Sequence, residues 1–347
     1  KSHVFRCMAH IINLATQAFL SAHSKSKHYD PATPDMDAAD MIAVRHGFER
    51  DEIGLVRAIA VKERLSAKRK ELFQRAQTRT DDGHVPRAQT LQLLLDMKTR
   101  WSSTFLMLRH ALDLKEEVDY FVRLLAFEER DGEKRRKLMD LELTESEWDN
   151  IRLLLSLLAQ AEKAQQAFST EQGPTMHTVL PALEALFKAW SSRKESTKYA
   201  DFTDVLEAGL SKIAKYYERT STSNAHIIAM LLDPAQKLSY IRTYWGEELL
   251  AEVVQHAEVI YKEHYSVVYG SDVSSSKTII PNHRITLQNH KLASLLGELS
   301  DDDDEDSSSH HDACHQGDPA KPWLHGFHGY LNTREHVGNV SIVEWWG

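Results

Sequence analysis

Along most of this chain apolar residues recur three and four positions apart, the spacing that buries one face of a helix. Met8, Ile11, Ile12, Ala15, Phe19 and Leu20 predict one helix over Val4–Leu20. Residues 21–40 are polar and carry Pro31 and Pro34, so they read as a loop. Helical patterning resumes over Gly54–Arg75 and over Phe105–Leu125. Between them Leu91–Met97 is a short apolar run of the kind a buried strand uses. Thr144 followed by Glu147 is a capping-box pair, and the helix it opens is predicted to reach about Phe168. Further helices are predicted over Thr178–Trp190, Tyr199–Tyr217 and Leu249–His264, with Asp233-Pro234 turning the chain after the apolar run Ile227–Leu232. The fold class expected is mainly α, with few strand candidates.

The pattern fails after residue 268. Tyr269–Lys277 is rich in glycine and serine, and Asp301–Asp306 is an unbroken acidic run followed by three serines. Such composition cannot bury enough apolar surface to order itself, so 297–318 is expected to be a disordered linker. Beyond it Trp323, Phe327, Tyr330, Leu331, Trp345 and Trp346 crowd into a short tail. A segment this small cannot keep those rings dry alone, so it is expected to dock on something.

Charge and cysteine content narrow the classes. The 347 residues carry a formal net charge of −9, which argues against a basic coat that binds nucleic acid without selection. A local basic face remains compatible with it. The clearest is Lys62–Arg75, read first as a solvated helix face and second as a DNA contact. Two cysteines, Cys7 and Cys314, give no disulfide framework and no CxxC pair. With no signal peptide, they point to an intracellular protein. No run is long and apolar enough to span a membrane. Phosphate-loop, nucleophile-elbow and HExxH patterns are missing, so no NTPase, hydrolase or zincin is expected. His310, His311, His315 and Cys314 fall in the acidic linker and read as composition bias before a metal site.

Four blocks in order resemble the hAT family of DNA transposases. Arg6–Leu14 (RCMAHIINL) is similar to its RCxxHxxNL block. Thr99–Thr104 (TRWSST), with Met107-Leu108, is similar to TRWNSTxxML. Pro174-Thr175, Leu180-Pro181 and Ala229–Lys237 (AMLLDPAQK) are similar to the PT…LP and LDPRxK blocks. Tyr330-Leu331-Asn332 and the end at Trp345-Trp346 are similar to its C-terminal YL…WW signature, in a form that resembles fungal members.

The resemblance implies an RNase H-like α/β core, here partial, interrupted by a large helical insertion. It divides the chain into partial core (1–142), insertion (143–220), a helical return to core (221–296), the linker (297–318) and a C-terminal dimerisation segment (319–347). It also implies cleavage by two aspartates and a glutamate holding Mg²⁺ in intact members. Both aspartates precede the RCxxH block, and the glutamate position falls on Gly326, so no catalytic residue, metal or cofactor is expected here. The opening at Lys1 adds the expectation of an N-terminally truncated piece. Cys7 and His10, three apart, would sit near the ancestral active site, although packing of their helix is the plainer reading. Arg100 and Trp101 would meet DNA, Arg100 on a phosphate and Trp101 on an unpaired base, with Trp101 as a core residue the equal alternative. Trp323, Phe327, Tyr330, Leu331, Trp345 and Trp346 would form a homodimer interface. The function expected is that of a nuclear, transposase-derived protein without cleavage that keeps dimerisation and DNA binding. The alternative is a helical protein-interaction module without DNA contact. Neither a membrane nor a small-molecule substrate is expected.

Overall fold

A computed structural model describes residues 8–29, 50–80, 84–167, 169, 175–220, 225–269, 321–333 and 342–346. The linker 297–318, Cys7 and the His310–His315 cluster lie outside them. In chain order the α-helices are α1 Met8–His23, α2 Glu52–Arg64, α3 Ala67–Thr78, α4 Trp101–Asp113, α5 Lys115–Glu128, α6 Gly132–Met139 and α7 Glu145–Gln166. They continue with α8 Val179–Lys194, α9 Thr203–Thr220, α10 Ala225–Leu231, α11 Ser239–Tyr269, α12 Pro322–Asn332 and α13 Ile342–Trp346. Short 3₁₀ turns occupy Met176–Thr178 and Thr197–Phe202. The protein is mainly α. Among the described residues there is no strand, so the sheet implied by the resemblance has no counterpart in them.

Local chemistry explains where helices start and stop. Ser66 is extended and its hydroxyl accepts the Arg69 N–H, so it caps α3 and splits the helix predicted over Gly54–Arg75. Leu114, at φ −112° and ψ 23°, breaks Phe105–Leu125 through its backbone alone, without a side-chain cap bond. The capping box at the start of α7 forms reciprocally: Glu147 N–H donates to Thr144 Oγ1 at 3.3 Å, and Thr144 N–H to Glu147 Oε2 at 2.7 Å. The Arg50 guanidinium then grips Glu147 through both oxygens, at 2.7 and 2.6 Å.

The strand expected over Leu91–Met97 is an irregular segment instead. Its polar backbone is served by side chains rather than by a neighbouring strand. Gln77 takes both backbone groups of Leu91, at 2.7 and 2.8 Å, and Arg64 donates to the Leu93 carbonyl at 2.7 Å.

Two compact units are present. One comprises His10–Lys163 and Arg193–Lys212. Its core includes Ile11, Ile12, Phe19, Phe73, Phe121, Trp148 and Phe202, with Phe73 meeting Phe121 edge-on at 5.3 Å. The other comprises Lys1–Ala9, Ala164–Ser192 and Ile213–Gly347. Its core gathers Ile227, Met230, Ile241, Trp245 and Val253 with Phe327 and Leu331 of α12.

Candidate functional site

In the unit built from His10–Lys163 and Arg193–Lys212, a cavity of about 400 Å³ opens between α1, α2 and the start of α4. Its depth is organised by a buried ion pair. Arg57 donates from Nε and Nη2 to the two oxygens of Asp96, at 2.8 and 2.7 Å. The Thr104 hydroxyl adds a bond to Asp96 Oδ2 at 2.8 Å, and His28 Nε2 stands 3.6 Å from the same oxygen. Burial pushes the Asp96 carboxyl up, but the Arg57 bonds and charge, with Thr104 and His28, outweigh it and hold it below the usual carboxylate range. Burial and the Arg57 charge push the His28 imidazole down. The remaining Arg57 nitrogen reaches Ser26 Oγ at 2.5 Å. Its donors are therefore spent inside the protein.

Lys25, Lys98 and Arg100 also line the cavity, and all three are exposed. No Asp or Glu is among the lining residues. A chain of net charge −9 thus places three exposed cations at one opening, beside the apolar Leu20 and Ile53 of its lining. The arrangement suits an anion: Lys98 and Arg100 come from the turn before α4, and Lys25 from the segment that follows α1.

The sequence-predicted residues divide. Arg100 is the extended N-cap of α4, makes no side-chain cap bond, and is exposed. Trp101 is 3% exposed and packs on Phe105 at 6.2 Å, its indole forming part of the cavity wall. His10 is exposed on the first turn of α1. The first and second motif blocks meet in space. Trp101 N–H points at Asn13 Oδ1 at 3.5 Å, and Gln17 Nε2 donates to the carbonyls of Lys98 and Thr99 at 3.3 and 3.0 Å.

The third and fourth blocks also meet, in the other unit. Asp233 Oδ1 accepts the Ala235 N–H at 3.0 Å, and the turn ends at Lys237, in the left-handed region at φ 44°. Lys237, only 4% exposed, sends its ammonium to the carbonyls of Tyr330 and Thr333 at the C-terminal end of α12 and lies 4.2 Å over the Tyr330 ring. Tyr330 Oη donates to the Leu231 carbonyl at 2.8 Å, and Trp346 Nε1 to the Leu232 carbonyl at 2.9 Å. Trp345 meets Trp346 edge-on at 4.9 Å, and the Lys262 ammonium sits 4.7 Å over Trp323. Phe327 and Leu331 are buried in cis, while Trp346 stays half exposed. Gly326, exposed on α12, offers no ligand atom, and a Cβ there would lie 3.0 Å from the Tyr261 hydroxyl.

Sequence reasoning missed Lys25, Arg57, Asp96, Lys98 and Lys237. Asp96 had one signal, a lone carboxylate inside the apolar run Leu91–Met97. Lys237 lies in the third motif block, but the reach of its ammonium to the end of α12 is invisible in spacing.

Residues 5–157 match the family model of the ZBED1 RNase-like helical domain. That span holds the whole cavity and both of the first two motif blocks. A protein of Talaromyces stipitatus, tpeD, whose name proposes a transcriptional regulator, is 26% identical over 272 residues, covering 75% of this chain. The chain spans 27% of that relative's length. No solved structure matches. No helix among the described residues is long and apolar enough to cross a membrane.

Proposed function

We propose that this chain is a transposase-derived, nuclear DNA-associated protein that holds backbone phosphates through Lys25, Lys98 and Arg100 and does not itself cleave the strand. The observation carrying this reading is the exposed cation set at the mouth of a cavity without lining carboxylates, inside the span that matches the RNase-like helical domain. Arg100 offers a planar fork for two phosphate oxygens, while Lys25 and Lys98 act as point charges. Asp96, outside the lining, holds Arg57 in place at the cavity floor. The resemblance to hAT transposases and the regulator-like name of the fungal relative support a nuclear, DNA-directed role. Gly326 at the glutamate position supports loss of cleavage, and the reading requires no cofactor.

A mobility-shift assay with a duplex at low salt tests it. Wild type should retard the duplex and Arg100→Ala should weaken that by about tenfold, the loss of one good charged contact. Equal retardation by both proteins rejects the assignment.

Dimerisation is part of the same proposal, with its seat moved. Because Phe327 and Leu331 are buried in cis, a second copy would meet Val343 and Trp346, 61% and 50% exposed. The alternative, an interaction module without DNA contact, is favoured by one observation, the apolar groove between α5 and α6.

A further inference from the structure

We propose that the groove between α5 and α6 docks an acidic, amphipathic peptide segment of a partner protein, which sets a bulky apolar side chain between Phe127 and Met139. α5 turns Val118, Phe121, Val122, Leu125 and Ala126 inward. Phe127, next in sequence, is left 83% exposed. α6 buries Leu138 alone and leaves Met139 55% exposed. Between the helices lies a cavity of about 230 Å³, with the buried Val122 and Ala126 at its base, Phe127 and Met139 at its sides, and Arg123, Arg135 and Glu142 at its edge, Glu142 being paired with Arg123. Single exposed apolar residues are ordinary. Two large, flexible or aromatic ones flanking an apolar cavity form a receptor for an anchor side chain.

The surrounding charge selects the partner's chemistry. Arg130–Lys137 carries Arg130, Lys134, Arg135, Arg136 and Lys137 against Asp131 and Glu133, and all five cations are exposed. Asp131 is engaged as the N-cap of α6, accepting the Glu133 and Lys134 N–H groups. Arg135 donates to the Glu129 backbone carbonyl at 3.0 and 2.7 Å rather than to a carboxylate. Nearby acids face cations of their own: Glu128 faces Lys68 and Arg75, Glu129 faces Arg69, and Glu142 faces Arg123 at 2.9 Å. Glu133 and Asp140 stand at the two ends of α6. A nucleic acid would use the cations but has no side chain for the cavity. An acidic helix with large apolar residues on one face uses both, as helix-in-groove recognition does.

Fluorescence anisotropy on the full chain tests this. The probe is a labelled synthetic peptide of about 15 residues, rich in Asp and Glu, with Leu and Trp at helical spacing. Saturable binding is expected, weakened about tenfold or more when the Leu and Trp become Ser. Phe127→Ser and, separately, the pair Lys134→Glu and Lys137→Glu should each cost about tenfold, with unchanged circular dichroism because these side chains are exposed. Arg100→Ala should leave peptide binding unchanged, which separates this site from the proposed phosphate contact.

Absence of saturation up to about millimolar peptide overturns the proposal, as does equal affinity for the Ser-substituted peptide. A DNA duplex losing affinity in these variants while the peptide does not bind would place nucleic acid here. Self-association abolished by Phe127→Ser, again without peptide binding, would place a second copy here. Either result overturns the peptide assignment.

Discussion

Arg57 and Asp96 lie 39 residues apart in sequence and are almost completely buried together. Removing one partner would strand the other's charge in a low-dielectric floor, a loss larger than the pair's own net contribution. Asp96→Ala should therefore destabilise the fold by about 3–5 kcal/mol in urea unfolding, and a cost under about 1 kcal/mol would show that water reaches Arg57. The pH dependence of this carboxylate has a definite sign. Its folded pKa is depressed, so its stabilisation is present above the unfolded value and is lost as pH falls through the folded one. Asp119 behaves oppositely. Burial pushes its carboxyl up to about 6, although Trp148 Nε1 donates to it at 3.1 Å. Its contribution is complete below the unfolded pKa of about 4 and declines as pH rises through about 6. Asp119→Asn should flatten the thermal-stability profile between those values and raise Tm at neutral pH. A profile parallel to wild type would refute that burial effect. Neither behaviour was legible in sequence, because burial of an acid depends on which helices close over it.

Helix ends were the most legible elements where the capping chemistry is local. The Thr144–Glu147 box is read from four residues and forms as read. Breaks at Ser66 and Leu114 escaped because apolar spacing continues across both, and only the backbone reveals the interruption. The irregular path of Leu91–Met97 escaped for another reason. Apolar character predicts burial and pairing, yet Leu91, Leu94 and Met97 stay exposed while Leu93 and Asp96 are buried, and the side chain of Gln77 satisfies the Leu91 backbone. The turn at Asp233–Lys237 shows how one element holds another. Lys237 reaches the carbonyl end of α12, where a cation also meets the negative pole of the helix. Lys237→Met keeps the stem but removes those bonds. Amide exchange across α12 should speed up by about tenfold, equivalent to about 1.4 kcal/mol of local stability, and unchanged protection would mean that Phe327 and Leu331 hold the helix unaided.

For the whole molecule, the four motif blocks sort into two spatial pairs, Asn13 and Gln17 with the Thr99–Trp101 turn, and Leu231–Lys237 with Tyr330–Trp346. The mainly α class was legible from periodicity, whereas these pairings span from 81 to 114 residues and were not. Nor was the cation set, since Lys25 and Lys98 converge only after α1 and the turn before α4 pack. Dimerisation has its own test. Sedimentation should show concentration-dependent association that the paired substitution Val343→Ser and Trp346→Ser weakens, and a monomer at every concentration would exclude the interface. Phosphate binding at the cavity mouth is the central claim. It is tested most directly by measuring duplex affinity across salt concentrations for wild type and for Lys25, Lys98 and Arg100 jointly changed to Ala. Each phosphate contact releases counterions and adds about 0.9 to the slope of log affinity against log salt. The account predicts salt-sensitive binding by wild type and a slope lower by about 2–3 in the triple variant. Identical slopes, or no wild-type binding even at about 50 mM salt, would contradict it.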